Sequence, residues 1–265
     1  MHQIKLVVTD LDGTLLAPDA TISQEAIEIV AELSKRNVRF SFITGRPHIS
    51  AARFAKQLTL TAPMVTCNGA VICDGDEVLS RCSFGLSPLK KLMQTAASNG
   101  FTVLLFQDGT EYALSKTAWV RKRQAAGRIV PIKEADEINW ETGIAEKINI
   151  MEQGVSLDVL SGLLAEVEGC VSITKYGDTG CEIVAKGITK AAGLRNLCGL
   201  LGIKEENVLA IGDNENDNEL LAAAGIGAAV ANASPFTKKF ADYLCEFSYT
   251  EGFVEAVRKI VLGFI

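Results

Sequence analysis

The sequence predicts an α/β fold, an open parallel sheet interrupted by an inserted α+β domain, and three observations predict it. Residues 4 to 80 and 188 to 265 alternate short β-branched apolar runs with amphipathic stretches, the grammar of parallel sheets. Residues 84 to 186 change pattern and read as paired strands with accompanying helices, as in an antiparallel sheet covered on one face. Acidic residues, glycines and a lysine cluster where the outer runs end, and open α/β sheets bind ligands at those ends.

Taken in order, Ile4 to Thr9 is the first strand, and Ser23 caps a helix whose apolar face is Ile27, Val30, Ala31 and Leu33. Arg39 to Thr44 is the second strand, Pro47 opens a helix running to about residue 57, and Met64 to Cys67 is a third strand of the same sheet, ending at Asn68-Gly69. In the middle segment, helix Pro88 to Ser98 precedes strands Thr102 to Gln107 and Glu111 to Leu114, joined by Asp108-Gly109. A basic helix near residues 117 to 127 follows. Next come strand Lys147 to Glu152, helix Leu157 to Glu168, and two strands joined by Gly177-Asp178-Thr179-Gly180. The outer pattern returns with a helix from Thr189 to Gly202, on which Leu194, Leu197, Cys198 and Leu201 are spaced i, i+3, i+4, i+7. Strand Val208 to Ile211, a helix through Leu220 and Leu221, strand Gly227 to Val230, a helix after Pro235, strand Tyr243 to Cys245 and a last helix from about Glu251 complete it. The implied division is a core of residues 1–83 and 187–265 with an inserted domain of residues 84–186.

Composition narrows the chemistry. The chain has 265 residues, 48% apolar and 22% charged, with a formal charge of −6, which suits a soluble protein and argues against general nucleic-acid binding. No apolar stretch approaches the roughly 20 residues a bilayer requires, and the start runs into strand-like sequence without a signal peptide, so a cytoplasmic setting is expected. The seven cysteines are scattered without a C-x-x-C pair, which suggests reduced thiols. With only His2 and His48, a multi-histidine metal site or a Ser-His-Asp relay has almost nothing to build on, and carboxylates must carry the chemistry.

Asp10-Leu11-Asp12-Gly13-Thr14 follows the first strand, and Gly212-Asp213-Asn214-Glu215-Asn216-Asp217 follows the strand at Val208. Asp-Gly alone is a common turn pair, and acids at a helix start alone are ordinary capping. Two adjacent strand ends each offering carboxylates, without thiols or imidazoles, instead suit a hard ion such as Mg²⁺. Thr44-Gly45-Arg46-Pro47 brings a hydroxyl and a glycine amide to the same edge. Lys190 lies in the first turn of its helix, where the helix dipole disfavours a cation, so a nearby anion explains its placement.

Jointly these motifs resemble the haloacid dehalogenase-like phosphohydrolases: D-x-D-G-T at Asp10, the threonine-glycine at Thr44, the lysine at 190 and G-D-x-x-N-D at Gly212. The insert between Asn68-Gly69-Ala70 and Gly187-Ile188-Thr189-Lys190 is similar to the type IIB cap of the Cof-like subgroup. So are Val230-Ala231-Asn232-Ala233, with Ala231 where that subgroup often has glycine, and Glu251-Gly252-Phe253-Val254. The resemblance implies a Rossmann-like parallel sheet core and a Mg²⁺-dependent phosphatase acting on small phosphorylated metabolites through an aspartyl phosphate. By that resemblance Asp10 is the nucleophile and Asp12 the general acid/base. Leu11, Thr44, Gly45, Lys190 and Asn216 bind the phosphoryl group. Asp10, Asp12 (through its carbonyl) and Asp213 hold the metal, and Asp217 supports them.

Two alternatives stand beside this reading. A phosphomutase shares Asp10 and Asp12, and a phosphate-sensing regulatory protein uses an aspartyl phosphate as signal, although a built-in acid/base at Asp12 shortens that signal. The basic stretch of Lys116, Arg121, Lys122, Arg123 and Arg128 reads as a solvated helix face, and Trp119 and Trp140 read as packing residues. Neither a nucleic-acid nor a membrane partner is expected, and the sequence carries no indication of oligomeric state.

Overall fold

The structure, a computed structural model, describes residues 3–126, 131–134, 136–151, 154–175 and 179–263. The chain begins with β1 (Leu6–Thr9), α1 (Gln24–Lys35), β2 (Arg39–Phe42), α2 (His48–Leu58), β3 (Met64–Thr66), β4 (Val71–Asp74) and β5 (Glu77–Arg81). The middle comprises β6 (Phe84–Gly85), α3 (Lys90–Ser98), β7 (Thr102–Gln107), β8 (Thr110–Ala113), α4 (Ala118–Ala125), β9 (Ile144–Ala145), β10 (Lys147–Met151), α5 (Ser161–Val167), β11 (Val171–Lys175) and β12 (Gly180–Ala185). The last part holds α6 (Lys190–Leu201), β13 (Val208–Gly212), α7 (Asn218–Ala223), β14 (Ile226–Ala229), β15 (Tyr243–Leu244) and α8 (Tyr249–Ala256).

Two compact units result, Met1–Ser80 with Thr189–Ile265, and Arg81–Ile188. The division falls a few residues from the sequence-based boundaries at 83/84 and 186/187 for physical reasons. Arg81 pairs with Asp108 and Glu146, and Ile188 packs on the apolar core of the second unit.

The first unit is built on a parallel sheet in the order β15-β14-β13-β1-β2. Its central strands are buried throughout. Leu6 and Val8 of β1 join Leu194, Leu197 and Cys198 of α6 and Leu220 and Leu221 of α7 in one apolar cluster. Each such side chain contributes about 1.5–3 kcal/mol on full burial, so the strand order is held by packing as well as by the ladder.

Three local expectations are corrected. The buried face of α1 is Ala26, Ile29, Val30 and Leu33, with Ile27 half-buried and Ala31 exposed, because the stripe starts at the small Ala26. β3 joins the parallel sheet by a single parallel bridge rather than by a ladder. It meets the chain after β2 through the Ile43–Val65 bridge and the Thr44 N–H to Val65 O bond (3.0 Å), then pairs antiparallel with β4. Beyond Pro235 the chain makes only a short 3₁₀ turn, Thr237–Phe240. Four short strands, β4, β5, β6 and β9, carry too little alternation to be read from sequence.

The second unit has an antiparallel sheet in the order β11-β12-β10-β7-β8. Val103, Leu105, Ile148, Ile150, Cys181 and Ile183 project to one side of it and form a core with Leu92, Met93 and Leu164 of α3 and α5. Trp140 is buried in that core, whereas Trp119 packs on a smaller cluster around Leu104 and Phe106. Lys116 and, on α4, Arg121 and Lys122 are exposed, as a solvated helix face requires, whereas Arg123 is half-buried over the Trp119 ring; Arg128 and the turn residues Gly177 and Asp178 lie outside the described residues.

α6 lies tightly against the chain between β3 and β4. A Cβ on Gly193 would sit 2.8 Å from both the Gly69 Cα and the Val65 Cγ1. Gly193→Ala is expected to destabilise the protein by about 1–3 kcal/mol through this overpacking, although alanine is the better helix former by about 1 kcal/mol. Urea unfolding measures it, and an unchanged or raised midpoint would contradict the account.

Candidate active site

Strand register builds the site. Thr9, the last residue of β1, is level with Phe42 of β2 and Ile211 of β13. One step further, the Asp10 N–H donates to Ile211 O at 2.9 Å and the Ile43 N–H donates to Thr9 O at 2.9 Å. The residues that follow all three strands, Asp10, Thr44 and Asp213, therefore emerge at one edge of the sheet.

Asp10 is 5% exposed there and faces a lysine that is more buried still, at 1%. The Lys190 Nζ lies 2.8 Å from Asp10 Oδ1 and 2.7 Å from Asp217 Oδ1. Lys190 is the first residue of α6, directly after the Thr189 N-cap, so the two carboxylates are the anions its position in the helix demanded. Asp217 closes a single 3₁₀ turn after β13, and its second oxygen accepts the Asp213 and Asn214 N–H groups, each at 3.1 Å. Both of its oxygens are thus engaged within the protein.

Asp213 accepts a 2.6 Å bond from the Thr14 hydroxyl. Gly13 lies between them with φ +88, and a Cβ there would occupy the position of the Asp213 carboxylate, which is why the first motif turns on glycine. Asn232 fixes the same loop: its Nδ2 donates to Gly13 O at 2.8 Å while its Oδ1 accepts the Tyr249 N–H at 2.8 Å.

One ammonium does not neutralise three carboxylates. Burial raises Asp10 well above the ordinary aspartate value, and the charges of Asp217 and Asp213 add to the rise against the opposing pull of Lys190. Asp213 is pushed up to about 6, by burial first and by Asp217, with the Thr14 hydrogen bond opposing. Burial alone would depress Lys190, but Asp10 and Asp217 outweigh it and hold the ammonium above the usual lysine range. Asp10, Asp213 and Asp217 each offer an oxygen within 4.8 Å of the others. Hard oxygen donors with uncompensated negative charge fit a divalent cation of the Mg²⁺ type.

Asp12 stands apart from this cluster. Its side chain makes a bidentate pair with Arg46, Nε to Oδ2 at 2.7 Å and a terminal nitrogen to Oδ1 at 2.5 Å. Thr44 is fully buried, and its hydroxyl accepts the Arg46 N–H at 3.1 Å. Leu11 is buried, Gly45 is half-buried, and Asn216 is half-buried with its Nδ2 donating to Asn68 Oδ1 at 3.3 Å. Arg46, Thr14, Asn68 and Asn232 were absent from the sequence-based site. Arg46 lay inside a motif already noted, and its charge opposite Asp12 was the available signal.

A family model described as haloacid dehalogenase-like hydrolase matches residues 7–257. The chain belongs to that family. It is 30% identical over 259 residues to the 5-amino-6-(5-phospho-D-ribitylamino)uracil phosphatase YcsE of Bacillus subtilis, covering 98% of this chain and 96% of the relative. It is 27% identical over 265 residues to a phosphoglycolate phosphatase of Methanopyrus kandleri, covering 97% of each. Among solved structures, a haloacid dehalogenase-like hydrolase from Bacteroides thetaiotaomicron superposes with a TM-score of 0.81 at 25% identity, over 97% of this chain and 100% of that one. The subclass IIB sugar phosphatase BT4131 superposes at 0.84 and 21% identity over 98% and 100%, and so shares the fold. The chain is thus a hydrolase whose named relatives are phosphatases, in a family that generally uses a divalent metal. Among the described residues no helix is long and apolar enough to cross a membrane, and all seven cysteines are free.

The raised Asp213 has a consequence for the metal-free protein. Between its ordinary value of 3.8 and about 6 the unfolded chain binds fewer protons at this group than the folded one, so stability falls as pH rises through that window. In EDTA near neutral pH, Asp213→Asn is expected to stabilise the fold by about 1–3 kcal/mol, with the gain vanishing near pH 4. Thermal unfolding across pH reads this, and a variant less stable than wild type at neutral pH would contradict it.

Proposed function

We propose that this chain is a Mg²⁺-dependent phosphomonoester hydrolase acting on a small phosphorylated metabolite, with Asp10 as the nucleophile. The observation that carries the reading is the buried Lys190 held between Asp10 and Asp217, with Asp213 directly after the neighbouring strand. It supplies a carboxylate aimed from a strand end, a cation for phosphoryl oxygens, and surplus negative charge for a metal.

Asp10 attacks phosphorus, forming a bond from its carboxylate oxygen as the bond to the ester oxygen breaks. Asp12 donates a proton to that leaving oxygen, then takes one from the water that attacks the aspartyl phosphate and releases inorganic phosphate. Arg46 orients the Asp12 carboxylate through its two-pronged contact. The Leu11 and Gly45 amides, the Thr44 hydroxyl, Lys190 and Asn216 bind the phosphoryl oxygens and meet their charge in the transition state. Asp10 and Asp213 through their side chains, with the Asp12 carbonyl, hold the Mg²⁺, and Asp217 buttresses them. When bound, the ion supplies the positive charge that lets an anionic nucleophile approach an anionic phosphate.

The segment of residues 84–186 selects the substrate in this reading. Support comes from the named relatives, which match along nearly their whole lengths yet are phosphatases of chemically different compounds, phosphoglycolate and a phosphoribitylamino-uracil. The free cysteines accord with a cytoplasmic enzyme.

The test is hydrolysis of a generic aryl phosphate. Asp10→Asn is expected to lower kcat by more than about 10³-fold, and EDTA to silence the wild type until Mg²⁺ is restored. Robust turnover by the variant, or by the chelated enzyme, would reject the assignment.

A further inference from the structure

We propose that Asn68 is a positioning residue for the phosphoryl site, acting by orienting the Asn216 side chain; the inference rests on the phosphatase reading above. Asn68 lies in the turn between β3 and β4, far from both acidic motifs in sequence, and is 4% exposed. Cys67, Asn68 and Gly69 have φ values of 52, 55 and 105, three successive left-handed residues. Asparagine is among the few residues that adopt that conformation at low cost, so both the backbone and the side chain at position 68 suit this residue type.

The turn touches three of the four segments that carry a candidate phosphate ligand, those of Thr44 and Gly45, of Lys190 and of Asn216. The Asn68 N–H donates to Thr44 O at 2.9 Å, and the Cys67 N–H donates to Arg46 O at 3.0 Å, which fixes the loop holding the Thr44 hydroxyl and the Gly45 amide. Gly69 abuts the Thr189 carbonyl so closely that a Cβ there would overlap it, and Thr189 immediately precedes Lys190. The Asn68 Oδ1 accepts from the Asn216 Nδ2 at 3.3 Å. Three residues thus bear on Thr44, Lys190 and Asn216, and only the last contact is made by the Asn68 side chain. That bond sets which way the Asn216 amide faces, and so which hydrogen-bonding groups it presents to a phosphoryl oxygen.

A double-mutant cycle separates orientation from mere support of the fold. Asn68→Gly keeps the left-handed backbone and removes only the side chain. It is expected to raise KM for an aryl phosphate about tenfold with kcat little changed, the signature of lost binding shared by ground and transition states. In an Asn216→Ala background the same change is expected to have no further effect on KM, because the amide it orients is gone. If Asn68→Gly fails to fold, Asn68→Ser, whose hydroxyl is one bond short of the amide oxygen, enters the same cycle. A wild-type KM in the single variant, or effects that multiply across the two sites, would overturn the inference while leaving the phosphatase reading intact. Absence of turnover in the wild type on a panel of phosphate esters would instead remove the reading beneath it.

Discussion

The structure depends on one buried ammonium. Lys190 is enclosed in protein and shared by Asp10 and Asp217 at 2.8 and 2.7 Å. Burying these charges carries a large desolvation cost, and removing Lys190 would leave both carboxylates buried without their cation, which is more costly than never having built the group. Each anchor belongs to a different part of the first unit: Asp10 to the end of β1, Lys190 to the start of α6, Asp217 to the turn after β13. The cluster therefore ties strand register to helix placement, and in doing so leaves an excess of carboxylates at the sheet edge. That excess is unfavourable for the bare fold and useful for a site that must draw in a divalent cation.

Packing makes the arrangement affordable in geometry. The parallel ladder brings Thr9 and Ile211 level, so the chain reaches Asp10 and Asp213 side by side without any loop having to bridge them. Around them small residues remove steric obstacles. Gly13 admits the Asp213 carboxylate, and the Gly69–Gly193 approach lets α6 come down onto the β3–β4 turn, which puts Lys190 within reach. The second unit interrupts the sequence between residues 80 and 189, yet the five strands of the parallel sheet all come from the first unit, so its ladder is complete without the inserted chain.

Much of this was legible in the sequence, and the reasons are particular. β1 and β13 are short apolar runs followed at once by acids, so strand ends and carboxylates coincide in the text of the chain. Lys190 was legible as a misfit, a cation at the positive end of a helix, and its two anionic partners resolve the misfit. What escaped were features made only by tertiary register. The Arg46–Asp12 pair joins residues 34 apart and the Asn216–Asn68 bond residues 148 apart, and no local periodicity encodes either. The face of α1 was misjudged because an alanine, Ala26, begins its buried stripe. β3 keeps a single parallel bridge to the chain after β2, but its ladder is with β4, because an apolar run of that length does not reveal which neighbour it pairs with most fully.

The proposed reaction turns on one chemical event, transfer of a phosphoryl group to Asp10. Rapid-quench trapping with a radiolabelled phosphate ester, followed by peptide mapping, observes that event directly. The account predicts label on the peptide containing Asp10, formed and lost at rates compatible with turnover. An enzyme that turns over while that peptide stays unlabelled at every quench time would contradict it.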